Sequence, residues 1–176
     1  MNQLVGIIIG SDSDLPVMKD AAKVLEQLGV GSEIHVLSAH RVPSELAEHI
    51  RDAEKRGIKV FIGGAGVAAA LPGTIAAHTS LPIIGVPLTS ANSAAGGLDA
   101  MLSIVQMPPG VPVACVGLNG AKNAGILAAQ IIALGDENVR TKIAEFKKKL
   151  ASDVLGKDAK LQEKGFKKYL EEQGLI

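Results

Sequence analysis

Residues 4–29 read LVGIIIGSDSDLPVMKDAAKVLEQLG, and this stretch decides the fold. Residues 4–9 are short, apolar and rich in β-branched side chains, the pattern of a strand buried on both faces. Gly10 breaks the run, and Ser11-Asp12-Ser13-Asp14 leads into a helical stretch. Asp14 is the expected N-cap, Pro16 falls early in the first turn and Gly29 supplies the stop. A buried strand, a polar turn and a helix in immediate succession are the first half of a βαβ unit.

The same grammar recurs downstream. Strands are predicted over residues 33–37, 59–63, 82–86 and 113–116, and a second helix runs from near Pro43, through Leu46 and Ile50, to Gly57. Such alternation requires a parallel sheet with right-handed crossovers and helices on both faces. The predicted fold class is therefore α/β: a three-layer α/β/α sandwich, flavodoxin-like, with a five-stranded parallel sheet and a C-terminal helical extension. The segment 121–134, AKNAGILAAQIIAL, is apolar on nearly every face and is expected to be buried, in part between subunits. Residues 136–174 are charged with scattered apolar anchors and read as two amphipathic helices. One catalytic domain over residues 1–176 is expected, with 136–176 a tail packing on a neighbouring subunit.

Composition narrows the function. Eighteen Lys and Arg balance eighteen Asp and Glu, so no net field recruits nucleic acid or an anionic membrane, and the ligand is expected to be small. Hydrophobic residues make up 47% but aromatics only 2%, so the core must be built from Ala, Val, Ile and Leu. That scarcity also argues against a flavin-stacking electron carrier. The single cysteine, Cys115, excludes an intrachain disulfide and reads as a core residue, and no Cys pair or HExxH spacing suggests a metal. The N-terminus runs directly into the first strand without a basic leader, and no apolar run reaches the roughly 20 residues of a spanning helix, so the expected compartment is the cytoplasm.

In a parallel α/β sheet the loops after the strands gather at one edge, and ligands bind there. After the first strand, Gly10 to Asp14 offers hydroxyls and free amides at a helix start, suited to phosphate, while Asp14 can accept hydrogen bonds from sugar hydroxyls. The second strand leads to Ser38-Ala39-His40-Arg41, which places an imidazole that titrates near neutrality beside a guanidinium fork for an anion. His35 and His49 read as structural or solvated. After the third strand, Gly63 to Gly73 contains small residues that let a ligand approach the backbone. Gly64 to Ala69 also fits G-x-G-x-x-A, but it follows the third strand and no acidic residue ends the next one, which disfavours a dinucleotide. The polar loop 89–97 is expected to be flexible enough to close over a substrate.

Taken in order, GSDSD, SAHR, the GAG-x-AA-x-LPG loop, the segment from Ser103 to Pro108 and the Ala-rich helix from Asn123 resemble the class I 5-(carboxyamino)imidazole ribonucleotide mutases over essentially the whole chain. The resemblance implies a cofactor-free enzyme of purine biosynthesis, assembled as an octamer, acting on a ribonucleotide. It implies Ser11, Asp14 and Arg41 as ribonucleotide binders and His40 as general acid/base. Ser13, Ser38, Gly64, Ala65, Gly66, Ala70 and Leu71 complete the expected substrate-binding set. Relatives that carboxylate aminoimidazole ribonucleotide with free carbon dioxide carry Lys after SAH and a GRSN-type loop, so Arg41 and the GAG loop favour the mutase. One departure stands out: many members have histidine where this chain has Ala70. The alternatives are the free carbon dioxide carboxylase and a nucleotide-binding paralogue with impaired catalysis.

Overall fold

The computed structural model describes residues 2–176. Five strands, β1 (Gln3–Ile9), β2 (Gly31–Val36), β3 (Val60–Gly66), β4 (Ile83–Leu88) and β5 (Ala114–Cys115), form one parallel sheet in the order β2-β1-β3-β4-β5. The helices are α1 (Leu15–Gln27), α2 (Pro43–Arg56), α3 (Leu71–His78), α4 (Leu98–Val105), α5 (Ala121–Ile132), α6 (Glu137–Lys164) and α7 (Phe166–Glu172). The order reverses at β1 and β3, which makes a topological switch point between them.

Strand alternation divides the core in two. Ile7 and Ile9 on β1, with Ile62 and Ile84, face α1 and α5 together with Val139 and Ile143 at the start of α6. Ile8, Phe61 and Ile83 face the other way, against α2, α3 and α4. With few aromatics available, helices close onto the sheet and each other through glycine. A Cβ on Gly125 of α5 would lie 2.5 Å from Val24 Cγ1 and 2.7 Å from the Ala21 carbonyl oxygen, both on α1. That intimate α1–α5 contact buries Ala121, Ala124, Ala128 and Ala129 within the same subunit, so the buried stripe of the Ala-rich helix is covered by its own chain.

Element boundaries differ from the sequence reading where glycines and prolines hid the strand. β3 runs through Gly63 and Gly64 to Gly66, and β4 through Pro87 to Leu88, while β5 shrinks to two residues at the sheet edge. Cys115 is only partly buried; its thiol donates to the Val116 carbonyl at 3.3 Å, and burial raises its pKa, the opposite of an activated nucleophile. The tail forms two helices, but only Val139 and Ile143 are buried in this chain; Leu150, Val154, Leu155 and Phe166 are exposed. No helix among the described residues is long and apolar enough to cross a membrane.

Candidate functional site

The loops after β1, β2 and β3 meet in a cavity of about 220 Å³ at the switch point. Of the expected residues, Ser11, Ser13, Asp14, Ser38, His40, Ala65, Gly66, Ala70 and Leu71 line it, with Ser90 from the loop after β4. A second, apolar hollow of about 600 Å³ adjoins it, and His40 and Ala70 border both; Met107 and Pro108 lie on its far wall.

The GSDSD turn is a short 3₁₀ helix, Asp12–Asp14, held by a reciprocal cap. The Ser11 hydroxyl accepts from Ser13 N at 3.3 Å, and the Asp14 carboxylate accepts from Ser11 N at 3.2 Å. Asp14 is thus turned back onto the turn. It occupies the N-cap position of α1 without making the side-chain bond expected of it there, because the 3₁₀ turn claims the carboxylate. Partial burial, the leading cause, and the neighbouring Asp12 raise its pKa, against the lowering effect of the Ser11 and Gly10 amides.

The SAHR segment is a turn closed by Arg41 N and Val42 N donating to the Ser38 carbonyl. His40 is exposed, and no hydrogen bond to a described residue fixes its imidazole. Arg41 does not line the cavity; its Nη2 donates to the Gly10 carbonyl at 2.8 Å, tying the second loop to the first. Gly64 also lies off the cavity. It is a buried strand residue whose Cβ would meet Met18 Sδ at 2.6 Å, so its smallness serves the α1 packing face. The structure thus sets Gly64 within β3, facing Met18, and bonds one Arg41 nitrogen to the Gly10 carbonyl, so neither residue lines the cavity.

Val67, immediately after β3, adopts φ +55°, a left-handed conformation that a β-branched residue resists. Strain of this kind costs on the order of 1–3 kcal/mol and clusters at functional sites. Nothing in the sequence signalled it. α3 begins at Leu71 on the cavity rim, with its N-terminal partial positive charge facing the hollow and Pro72 preset for the first turn. In loop 89–97 the Ser93 hydroxyl donates to Asp99 at 2.7 Å and accepts from Gly97 N at 2.7 Å, holding Asp99 below its ordinary pKa, and Thr89 N donates to Asn119 at 3.0 Å.

A doubly wound sheet with a polar, glycine-lined cavity at its switch point has the architecture of a small-ligand α/β protein. The comparisons with known proteins carry this further. Residues 4–153 match the family described as AIR carboxylase, and the chain belongs to that family. It is 52% identical to an N5-carboxyaminoimidazole ribonucleotide mutase from Thermotoga maritima, over 96% of this chain and 98% of that one. A mutase of the same name from Pyrococcus abyssi is 55% identical over 95% of each chain. The crystal structure of Treponema denticola PurE superposes with a TM-score of 0.82 at 29% identity, covering 90% of this chain and 98% of that one.

Proposed function

We propose that this protein interconverts 5-(carboxyamino)imidazole ribonucleotide and 4-carboxy-5-aminoimidazole ribonucleotide in purine biosynthesis, with His40 moving the protons. The observation that carries the reading is the convergence of the GSDSD, SAHR and GAG loops on one cavity, with an untethered imidazole on its rim. Ser11, Ser13 and the adjoining amides bind the ribonucleotide, and Asp14 accepts from its sugar hydroxyls. Arg41 holds the two loops in register and attracts the phosphate by charge.

The chemistry balances without a cofactor. A proton from His40 reaches the exocyclic nitrogen as its carbamate releases carbon dioxide, a lyase-like half-step. The enamine-like ring carbon four of the resulting aminoimidazole then adds carbon dioxide, and neutral His40 takes the proton that carbon loses. One proton is given and one recovered, so a single imidazole suffices in sequence. Confinement of carbon dioxide keeps its effective concentration high, and the apolar hollow bordered by His40, Ala70 and Met107 is the space that would retain it.

At about 220 Å³ the polar cavity is smaller than the roughly 300–1,000 Å³ of a typical ligand site. A neighbouring subunit is proposed to complete its walls, in a cytoplasmic octamer of single-domain subunits whose 136–176 tails pack on their neighbours. The apolar side chains left exposed along α6 and α7 support that association. The deciding experiment supplies synthetic carbamate substrate to purified protein and follows the carbon-four carboxylated product with and without a carbon dioxide trap. Product that resists the trap is the expected result. Product abolished by the trap would assign direct carboxylation instead, and ribonucleotide binding without product would overturn the catalytic reading.

A further inference from the structure

Away from this cavity, β2 and α2 bring three metal-binding side chains together. Glu33 and His35 alternate on β2 and so share a face. α2, whose Leu46, Ile50 and Ala53 pack against Ile8 and Phe61 on that side of the sheet, presents His49 to Glu33, with Arg56 two turns further along. The Nε2 atoms of His35 and His49 lie 3.6 and 3.7 Å from Glu33 Oε1, and the two rings sit with centroids 4.1 Å apart at 48°. These distances are too long for hydrogen bonds. His49 Nε2 is withdrawn from solvent and has no hydrogen-bond partner, the single side-chain polar atom so placed among the described residues.

A buried imidazole nitrogen without a partner costs on the order of 1–3 kcal/mol and calls for an explanation. We propose that Glu33, His35 and His49 form a binding site for a divalent transition-metal ion of the zinc class, bridging the sheet edge and α2. Zinc takes imidazole nitrogen and carboxylate oxygen at about 2.0–2.2 Å, which sets tetrahedral ligand atoms about 3.3–3.6 Å apart. The ligand atoms here all lie within 4.8 Å of one another, and the two nitrogen–oxygen separations need to close by only a few tenths of an ångström. His35 is half-exposed, so the fourth position opens to water.

Arg56 is the competitor. Its Nη2 donates to the same Glu33 oxygen at 2.5 Å, and in the metal-free state its charge offsets the carboxylate. The guanidinium is half-exposed and can swing into solvent when a cation arrives. An ion here would pin the edge strand to α2 immediately before and after the turn that carries His40.

The test uses the full chain, stripped with a chelator and titrated with zinc in competition with a chromophoric chelator. Cobalt(II) serves as the spectroscopic probe of four-coordinate geometry. One equivalent is expected to bind, raising the melting temperature. Glu33→Gln, His35→Gln and His49→Gln should each weaken binding by about tenfold or more. Arg56→Gln should tighten it severalfold, a change that a generic surface histidine site would not show. His40→Asn should leave uptake unchanged. Absence of uptake at micromolar zinc by both the parent and Arg56→Gln would overturn the proposal, as would equal uptake by the parent and the ligand variants. Should His49→Gln fail to fold by circular dichroism, Glu33→Gln and His35→Gln on the edge strand decide the question.

Discussion

Replacing His40 by asparagine separates the chemical role of this position from any structural one. The side chain is exposed, sits in a turn closed by backbone bonds to Ser38, and has no hydrogen bond to a described residue, so folding should lose almost nothing. Surface changes of that kind fall within about 0.5 kcal/mol of zero. Ribonucleotide binding should also persist, because the amides and hydroxyls of the GSDSD turn and the rim of α3 are untouched. Turnover is different. General acid/base help is worth about 10²–10⁴-fold, and at 1.36 kcal/mol per decade its loss amounts to about 2.7–5.4 kcal/mol of barrier. Since the same imidazole is assigned both proton transfers, the upper half of that range is expected. Single-turnover kinetics with saturating carbamate, alongside calorimetric binding and a denaturant midpoint, measure all three quantities. A variant that keeps turnover within threefold of the parent would remove His40 from the mechanism; one that loses binding and stability together would show that the imidazole was structural.

Ala70→His puts a second imidazole between the two cavities; the αR backbone at φ −70° accepts it, and the start of α3 disfavours its charged form. Stability should stay within about 0.5 kcal/mol, and a rise in turnover at constant substrate affinity, seen in steady-state kinetics, is expected if the two proton transfers can be shared. Asp14→Asn has a definite pH sign. A carboxyl whose folded pKa is raised contributes stability fully present below its unfolded value, lost as pH rises through the folded one. The variant should therefore gain on the parent in denaturant midpoint as pH rises above the ordinary aspartate value of about 4, while binding ribonucleotide more weakly. Gly125→Ala should destabilise by about 1–3 kcal/mol from overpacking, reduced by roughly 1 kcal/mol of helix propensity; a net increase in melting temperature would show that α1 and α5 can part without cost. Arg41→Ala should weaken substrate binding and raise amide exchange around Gly10, since the guanidinium bond between the loops is lost.

The strand–helix alternation was legible because each of the first three strands is followed by a helix with proline in its first turn. Strand order is not fixed by that alternation, and the switch between β1 and β3 appears only in the sheet itself. What the sequence hid were matters of direction. Gly64 looked like part of a ligand loop because glycine carries no strand signal, and only the pairing of β3 with β1 and β4 turns it toward Met18. Asp14 has the composition of an N-cap, yet three acceptors within four residues compete for the same amides, and the tighter 3₁₀ turn wins. His35 and His49 were read one at a time as structural or solvated, and Glu33 only as the start of a strand. Their meeting depends on how α2 rests on the sheet, a tertiary relation that no local pattern encodes.

Part of the cavity that His40 borders is lined by residues with little or no side chain: Gly10, Ala39, Ala65, Gly66, Ala68 and Ala70. Where a cavity wall is backbone, a single substitution changes little of what a ligand meets. The few side chains that project into the hollow can then be exchanged with the grip on the ligand largely preserved. On the roles proposed for His40 and the GSDSD turn, holding and transforming the ligand would be separable, with substitutions at positions 40 and 70 altering chemistry more than binding.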